Sequence, residues 1–232
     1  MVVLLALLGV TAAVLRIIYP DDFITRFEPL RQRWFEVLAV NDPFADQRPA
    51  ELARIDGRFA AHRWVVLAHA AAGGLFLLAA PLQFSRRIRS RHLAWHRWSG
   101  RVLLLLGFPL ILSALFFGVL MPYAGQAEAL LILVIGALFL AAAAQAWLAI
   151  RRHDIARHRE WMIRVFASAI SISTVRVLGG PFDLALTPAG VHPRMVFLIT
   201  IWVAWALTLG AAELWIRRGR QPLPLVAARP SH

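Results

Sequence analysis

The chain contains no cysteine and no lysine. Without thiols it forms no disulfide, no thiolate metal site, no iron–sulfur cluster and no covalent c-type haem. All 25 basic residues are therefore Arg, a bias expected of a GC-rich genome and not by itself a sign of function. Acidic residues are scarce, 13 in all, which leaves a formal net charge of +12. Such a surplus suggests nucleic acid until its placement is read. Most of the Arg lies in short loops between apolar runs, where it reports membrane topology instead, so no nucleic-acid partner is expected. Adjacent His pairs of the kind membrane di-iron oxygenases use are missing. So is any nucleophile–base–acid constellation, and no enzymatic activity is inferred.

What the chain has in abundance is apolar length. It is 59% hydrophobic with a mean hydropathy of +0.64, and several windows exceed the eighteen or so apolar residues needed to span a bilayer. The expected fold is all-α, a polytopic transmembrane bundle of six spans. Residues 1–19 read as an uncleaved N-terminal anchor, although Thr11-Ala12-Ala13 resembles a signal-cleavage site. Residues 20–62 hold eight of the acidic residues. There Phe23, Phe27, Leu30, Trp34 and Val37 fall at helical spacing and Pro49 opens a second short helix. That segment reads either as an amphipathic pair in the membrane interface or as a lid over a site. Residues 63–216 hold five further spans, near Arg63–Phe84, Arg101–Met121, Ala127–Ile150, Trp161–Gly180 and Met195–Ile216, with Gly179-Gly180-Pro181 ending the fifth of the six. Residues 217–232 read as a tail. The loops Pro122–Gln126 and Pro181–Pro193 hold no Arg, so the positive-inside rule puts both termini in the cytoplasm and residues 20–62 outside.

The chain also says nearly the same thing twice. RHLAWHRWSGRV, from Arg91, returns as RHDIARHREWMIRV from Arg152. His92 aligns with His153, His96 with His158, Trp98 with Trp161 and Arg101 with Arg164, given a one-residue slip on each side of the second His. Gln83 and Gln145 precede His92 and His153 by nine and eight residues. The echo predicts two repeated hairpins, spans two and three and spans four and five, related by a twofold axis along the membrane normal.

Candidate functional residues follow from these placements. His96 and His158 start two spans at similar depth. Two imidazoles facing across a bundle are what bis-His ligation of haem b requires, with Arg101 and Arg164 for the propionates and Trp98 and Trp161 against the ring. The competing reading is an ordinary interface of snorkelling Arg and anchoring Trp. His92 lies four residues before His96, a spacing that lets both bind one metal with His153 and His158; the competing reading is solvated loop. Asp154, four before His158, is placed to orient that ring. His69 is an ionisable residue inside a span and a functional candidate by default. Gly73 and Gly74 beside it would admit a flat ring such as haem or quinone, or close packing of a second helix. His69 lies about 21 Å along its helix from Gln83 at 1.5 Å per residue, too far to share a cofactor with His96. Arg176, with Glu128 or Asp183 as neutralising candidates, makes the Ser-rich fifth span a polar path.

His69 with Gly73, Pro81-Leu82-Gln83, His96-Arg97 with Gly100-Arg101, then Asp154, His158-Arg159, Trp161-Met162-Ile163-Arg164 and Arg176 together resemble the family of bacterial membrane proteins called domain of unknown function 2306. The resemblance covers roughly residues 63 to 180. It implies a multi-span bundle in the cytoplasmic membrane and brings no substrate or reaction. A looser similarity is to two-haem b-type membrane cytochromes, which carry two well-separated His on each ligating helix. No helix here has that spacing, so the pattern supports at most one haem b. Three functions follow as expectations. The first is a haem- or quinone-associated redox or electron-transport accessory. The second is a small-solute or proton-coupled transporter using His69 and Arg176. The third is a non-catalytic protein that binds anionic lipid head groups or a partner membrane subunit.

Overall fold

A computed structural model describes residues 2–220, and the tail expected beyond Arg220 lies outside the described residues. The described chain is helical, with no strand. The elements are α1 (Val2–Ile18), α2 (Phe23–Val37), α3 (Arg48–Ala61), α4 (Arg63–Gln83), α5 (Arg86–Arg91), α6 (Leu93–Leu115) with a π-helical turn at Phe116–Leu120, α7 (Gln126–Arg151), α8 (Ile155–Leu186) and α9 (Pro193–Arg220). Five helices are long and apolar enough to cross a membrane: α4, α6 with its π turn, α7, α8 and α9. The sixth expected span, α1, is apolar but has only 17 residues, about 25 Å at 1.5 Å per residue. Outward faces are apolar, as Leu105, Phe108 and Leu130 show. The molecule is a polytopic helical bundle.

Helix boundaries differ from the sequence expectation where charge meets the membrane. α6 starts at Leu93 rather than Arg101, and α8 at Ile155 rather than Trp161. Arg is a good helix former, so the basic stretches wind into their helices and only short turns remain. Asp154 caps α8 by accepting from the backbone N–H of Arg157 at 2.9 Å. α8 also continues through Gly179-Gly180-Pro181 to Leu186. Pro181 removes one backbone bond, but the turn beyond it is secured by Asp183, which accepts from Thr187 Oγ1 at 2.6 Å and from Arg31 and Arg48. Residues 217–220, assigned to the tail by sequence, are the last turn of α9.

α4 packs on α6 and α7 on α8; the pairs meet through α6 against α7 and α4 against α8. These are the contacts that a twofold exchanging the hairpins would interconvert. α1 packs on α4 and touches α8, and α9 covers α8. One buried cluster joins Phe76 and Leu77 of α4, Leu103 of α6, Phe139 of α7 and Val165 and Ile170 of α8.

α2 and α3 cap one end of the bundle, and α2 is amphipathic in an unusual sense. Its stripe of Phe27, Leu30, Trp34 and Val37 is 38% to 68% exposed, while Glu28 and Phe35 are buried. The charged face turns inward because its partners are there. Arg31 bonds Asp183 of α8, Asp42 at 2.7 Å and Glu28 at 3.1 Å; Arg48 of α3 reaches Asp183 at 3.2 Å and Asp42 at 3.3 Å. Asp56 of α3 caps α2 from outside the helix. It accepts from Thr25 N–H at 2.8 Å, Thr25 Oγ1 at 2.9 Å and Ile24 N–H at 3.1 Å, and it faces Arg16 of α1 at 3.5 Å. Arg16 in turn lies over the rings of Phe23 and Phe59. Glu51 joins the start of α3 to Arg194 at 2.6 Å and to Tyr123 at 3.3 Å.

The network has a defined pH response. Burial works to raise the Asp42 carboxyl, but the hydrogen bonds from Arg31 and Phe44 N–H and the charge of Arg48 outweigh it and hold the group below its usual 3.8. A depressed carboxyl contributes stability above its unfolded value and loses it as pH falls through the folded one. Glu28 moves the other way: burial raises it in spite of Arg31 and Arg48, so its protonation favours the fold. Hydrogen exchange of α2 and α3 should therefore stay slow from pH 7 to about 5 and quicken only below about 4. Quickening already at pH 6 would show that these carboxylates do not hold the cap.

Candidate functional site

Two polar clusters lie at opposite ends of the spanning helices. In the capped half, His69 of α4 places Nδ1 2.8 Å from Ser113 Oγ of α6. The Ser113 hydroxyl donates its single hydrogen back to the carbonyls of Pro109 and Leu110, at 2.5 Å and 3.0 Å. With that hydrogen on the carbonyls, Oγ accepts from His69 Nδ1–H, and in that tautomer Nε2 is the acceptor of the ring. Phe117, in the π turn, stands edge-on to the imidazole at 5.7 Å between centroids. Phe59 of the cap packs edge-on to Phe117 at 5.3 Å. The π turn aims Phe117 at His69, and single π turns recur at functional sites. It fits against α7 because Gly118 lacks a side chain: a Cβ there would come within 2.6 Å of Ile132.

Arg176 of α8 lies within electrostatic reach of His69. Neither expected counter-ion reaches it. Glu128 turns back to accept from the N–H of Ala124 at 2.6 Å, and Asp183 is occupied by the cap. Among the described residues no carboxylate pairs with Arg176, whose one recorded bond is NH1 to the Ile172 carbonyl at 3.3 Å. It is accessible at the surface. The bare faces of Gly73 and Gly74 do not form the expected slot for a ring. A Cβ on Gly73 would meet Leu110 at 3.3 Å and one on Gly74 would meet Ala13 at 3.1 Å, so both serve close helix packing. Beside the cap, a cleft of about 170 Å³ is bordered by Arg58, Phe59, Tyr123 and Arg194.

At the basic end, His96 and His158 are each the fourth residue of a spanning helix, and each lies within electrostatic reach of the other. His158 Nδ1 bonds the Ala146 carbonyl at 2.9 Å, while His96 Nδ1 is buried without a partner among the described residues. Gln83 donates to Ser99 Oγ at 2.7 Å; Gln145, its counterpart, is exposed. The space farther into the bundle is filled by Ala80, Leu103, Ala142, Val165 and Phe166.

The rest of the echo diverges for a geometric reason. His96 precedes Trp98 by two residues and Arg101 by five, whereas His158 precedes Trp161 by three and Arg164 by six. One extra residue inside a helix rotates everything after it by about 100°. Trp98 is accordingly 64% exposed, while Trp161 packs on the core. Arg101 is exposed. Arg164 forms a two-bond pair with Glu213 of α9, at 2.5 Å and 3.0 Å, and lies over the Trp161 ring. Arg164 is thus already neutralised, and the two Arg do not form a matched anion site. Trp161 and Arg164 border an open cleft of about 550 Å³ with Asp154, Arg157 and Glu160.

The first slip is absorbed outside the helices. His92 is the cap between α5 and α6, and His153 takes a left-handed conformation, φ 61°, in the turn before α8. Both are exposed. Among the described residues no three His, Asp or Glu side chains gather as a metal site would require, and the metal reading of His92 and His153 is not carried further.

Sequence reading missed Ser113, Phe117 and the α5 residue Arg89. Burial, with the charges of Arg159 and Arg86, holds the Arg89 guanidinium below its ordinary value. Only Ser113 left a trace, as a hydroxyl in an otherwise apolar run. A family model described as "Predicted membrane protein (DUF2306)" matches residues 66–216. No protein of curated function and no solved structure matches the chain.

Proposed function

We propose a function for a chain that belongs to the DUF2306 family of predicted membrane proteins: it binds a lipid-dissolved quinone at His69 and Arg176, as an accessory to membrane electron transport. One observation carries the reading. An imidazole and a guanidinium without a carboxylate partner among the described residues lie within electrostatic reach of each other on spanning helices. A polar pair in that setting needs a polar occupant, because an uncompensated charge in hydrocarbon costs several kcal/mol, about 3 at the helix centre. A quinol hydroxyl donates to His69 Nε2, and a quinone carbonyl accepts from Arg176. Phe117 offers the head group an aromatic edge, and Phe59 of the cap backs that ring.

The loop Arg supports placing the basic end in the cytoplasm, with both termini there and the cap outside an inner membrane. Phe76, Leu77 and Ile170, packed between the two clusters, favour binding over a transport path. The filled core beside His96 and His158 gives haem between them less support than quinone at His69.

The test is calorimetric titration of the detergent-solubilised protein with a short-tailed quinone and, under reducing conditions, with its quinol. The hydrogen bond from Arg176 is charged and worth about 1.5–3 kcal/mol, and the neutral one to His69 about 0.5–1.5 kcal/mol, so R176Q should weaken quinone binding about tenfold or more and H69A should weaken quinol binding about threefold to tenfold. Equal binding by the wild type and the double variant would remove the proposal.

A further inference from the structure

The basic end holds a second cluster, which the quinone reading leaves unused. Arg89 of α5 donates to the carbonyl of Gln83 at 3.4 Å, which folds α5 back over the end of α4. Gln83 is tied to Ser99 of α6 at 2.7 Å, and Ser99 bonds the Trp95 carbonyl at 2.7 Å, so α4, α5 and α6 are fastened into one corner. Phe84 and Phe166, with centroids 5.4 Å apart, bring α8 against the same corner. Arg159 and Arg86 come close enough for their charges to act on Arg89, and His96 lies within reach of Arg89, Arg97 and His158.

Like charges gathered in one corner repel, and a chain that gathers them without carboxylates leaves room for an anion. Among the described residues none of Arg86, Arg89 or Arg159 is within ion-pair distance of an acid, although the protein pairs Arg elsewhere: Arg31, Arg48, Arg164 and Arg194 all have carboxylates. Of the two acids on the first turns of α8, Asp154 spends an oxygen on capping Arg157 N–H, and Glu160 borders the open cleft with Trp161 and Arg164. His96 adds an independent sign, since its buried Nδ1 has no hydrogen-bond partner within the described chain, and a buried polar atom without a partner costs about 1–3 kcal/mol.

We propose that the corner formed by the end of α4, α5 and the first turns of α6 and α8 is a phosphate-binding site, in which Arg86, Arg89 and Arg159 hold the oxygens of an anionic phospholipid head group and the His96 and His158 rings form its inner wall. Guanidinium forks match phosphate oxygens in pairs. A lipid head group is the favoured source of that phosphate because the corner lies where spanning helices leave the apolar layer. The site does not depend on the quinone reading, and its ligand lies at the opposite end of the bundle.

The test uses native mass spectrometry of the full chain in detergent, titrated separately with phosphatidylglycerol, phosphatidylcholine and inorganic phosphate. The expected result is retention of phosphatidylglycerol over phosphatidylcholine, weakened at least tenfold in the R89Q/R159Q double variant and little changed in R87Q, which removes one charge from the same short helix. R89K, which keeps the charge, should retain most of the binding and guards against mistaking misfolding for loss of the site. Inorganic phosphate saturating the same Arg without lipid would uphold the site and identify its ligand as free phosphate. If R87Q weakens binding as much as R89Q/R159Q, or neither phosphate source is retained, the proposal is overturned.

Discussion

Replacing Asp56 by Ala is expected to release the cap. One carboxylate, 4% exposed, ends the N-terminus of α2, fixes the Thr25 hydroxyl and faces Arg16. Its removal leaves the Ile24 and Thr25 N–H groups unmet and strands Arg16 between two aromatic rings. Breaking a buried charge pair from one side costs about 3–5 kcal/mol, more than an isolated helix cap at about 1 kcal/mol. Asp56 also holds α3 where Phe59 meets Phe117, so the loss reaches the His69 site. Hydrogen exchange should quicken throughout α2 and α3 while α7 and α9 keep their protection. Unaltered protection of α2 in D56A would mean that the Arg31 and Arg48 bridges hold the cap unaided.

A second large effect is expected at Gly9→Val. α1 approaches α4 and α8 so closely at this residue that a Cβ would stand 2.4 Å from both Leu77 Cδ1 and Ser173 Oγ. Leu77 is a buried side chain that can shift only into other packed groups, and Ser173 is fully buried. Overpacking of this kind costs about 1–3 kcal/mol, and relief is available by moving α1 outward. Thermal unfolding should fall by several degrees, and a crosslink between α1 and α4 should lose efficiency. Full retention of both would show that α1 is not seated on Gly9. Gly57, with open space beyond its Cβ position, is the neutral comparison.

Much of this architecture was legible in the chain. Five spans announced themselves by apolar length, and the helical stripe of α2 was read correctly as a stripe. Its direction was not legible, because periodicity reports which residues share a face and not what that face meets. Here the inward face is chosen by Asp183 and Asp42, which lie 152 and 11 residues from Arg31 in sequence. The π turn was hidden because no residue type demands one, and it is visible only through what Phe117 and Gly118 touch. The His echo was found, but its later half was overread: alignment tolerates a one-residue slip that a helix converts into a change of side. The lone charge of Arg16 in an apolar run was the overlooked clue to Asp56, since a cation there needs a nearby acid.

The inward turn of α2's charges gives that helix two anchors in different media. Arg31 fastens it to Asp183 at the end of α8, a point fixed by the length of a rigid helix. Leu30, Trp34 and Val37 face away from the protein, and an exposed apolar stripe on an otherwise charged helix favours the depth where lipid and water meet. The first anchor follows the protein and the second follows the lipid. A bilayer whose thickness differs from the length of α8 therefore loads the Arg31 bridge as a spring loads a latch, and the energy of mismatch, fractions of a kcal/mol per Å, enters the molecule at the cap rather than in its core.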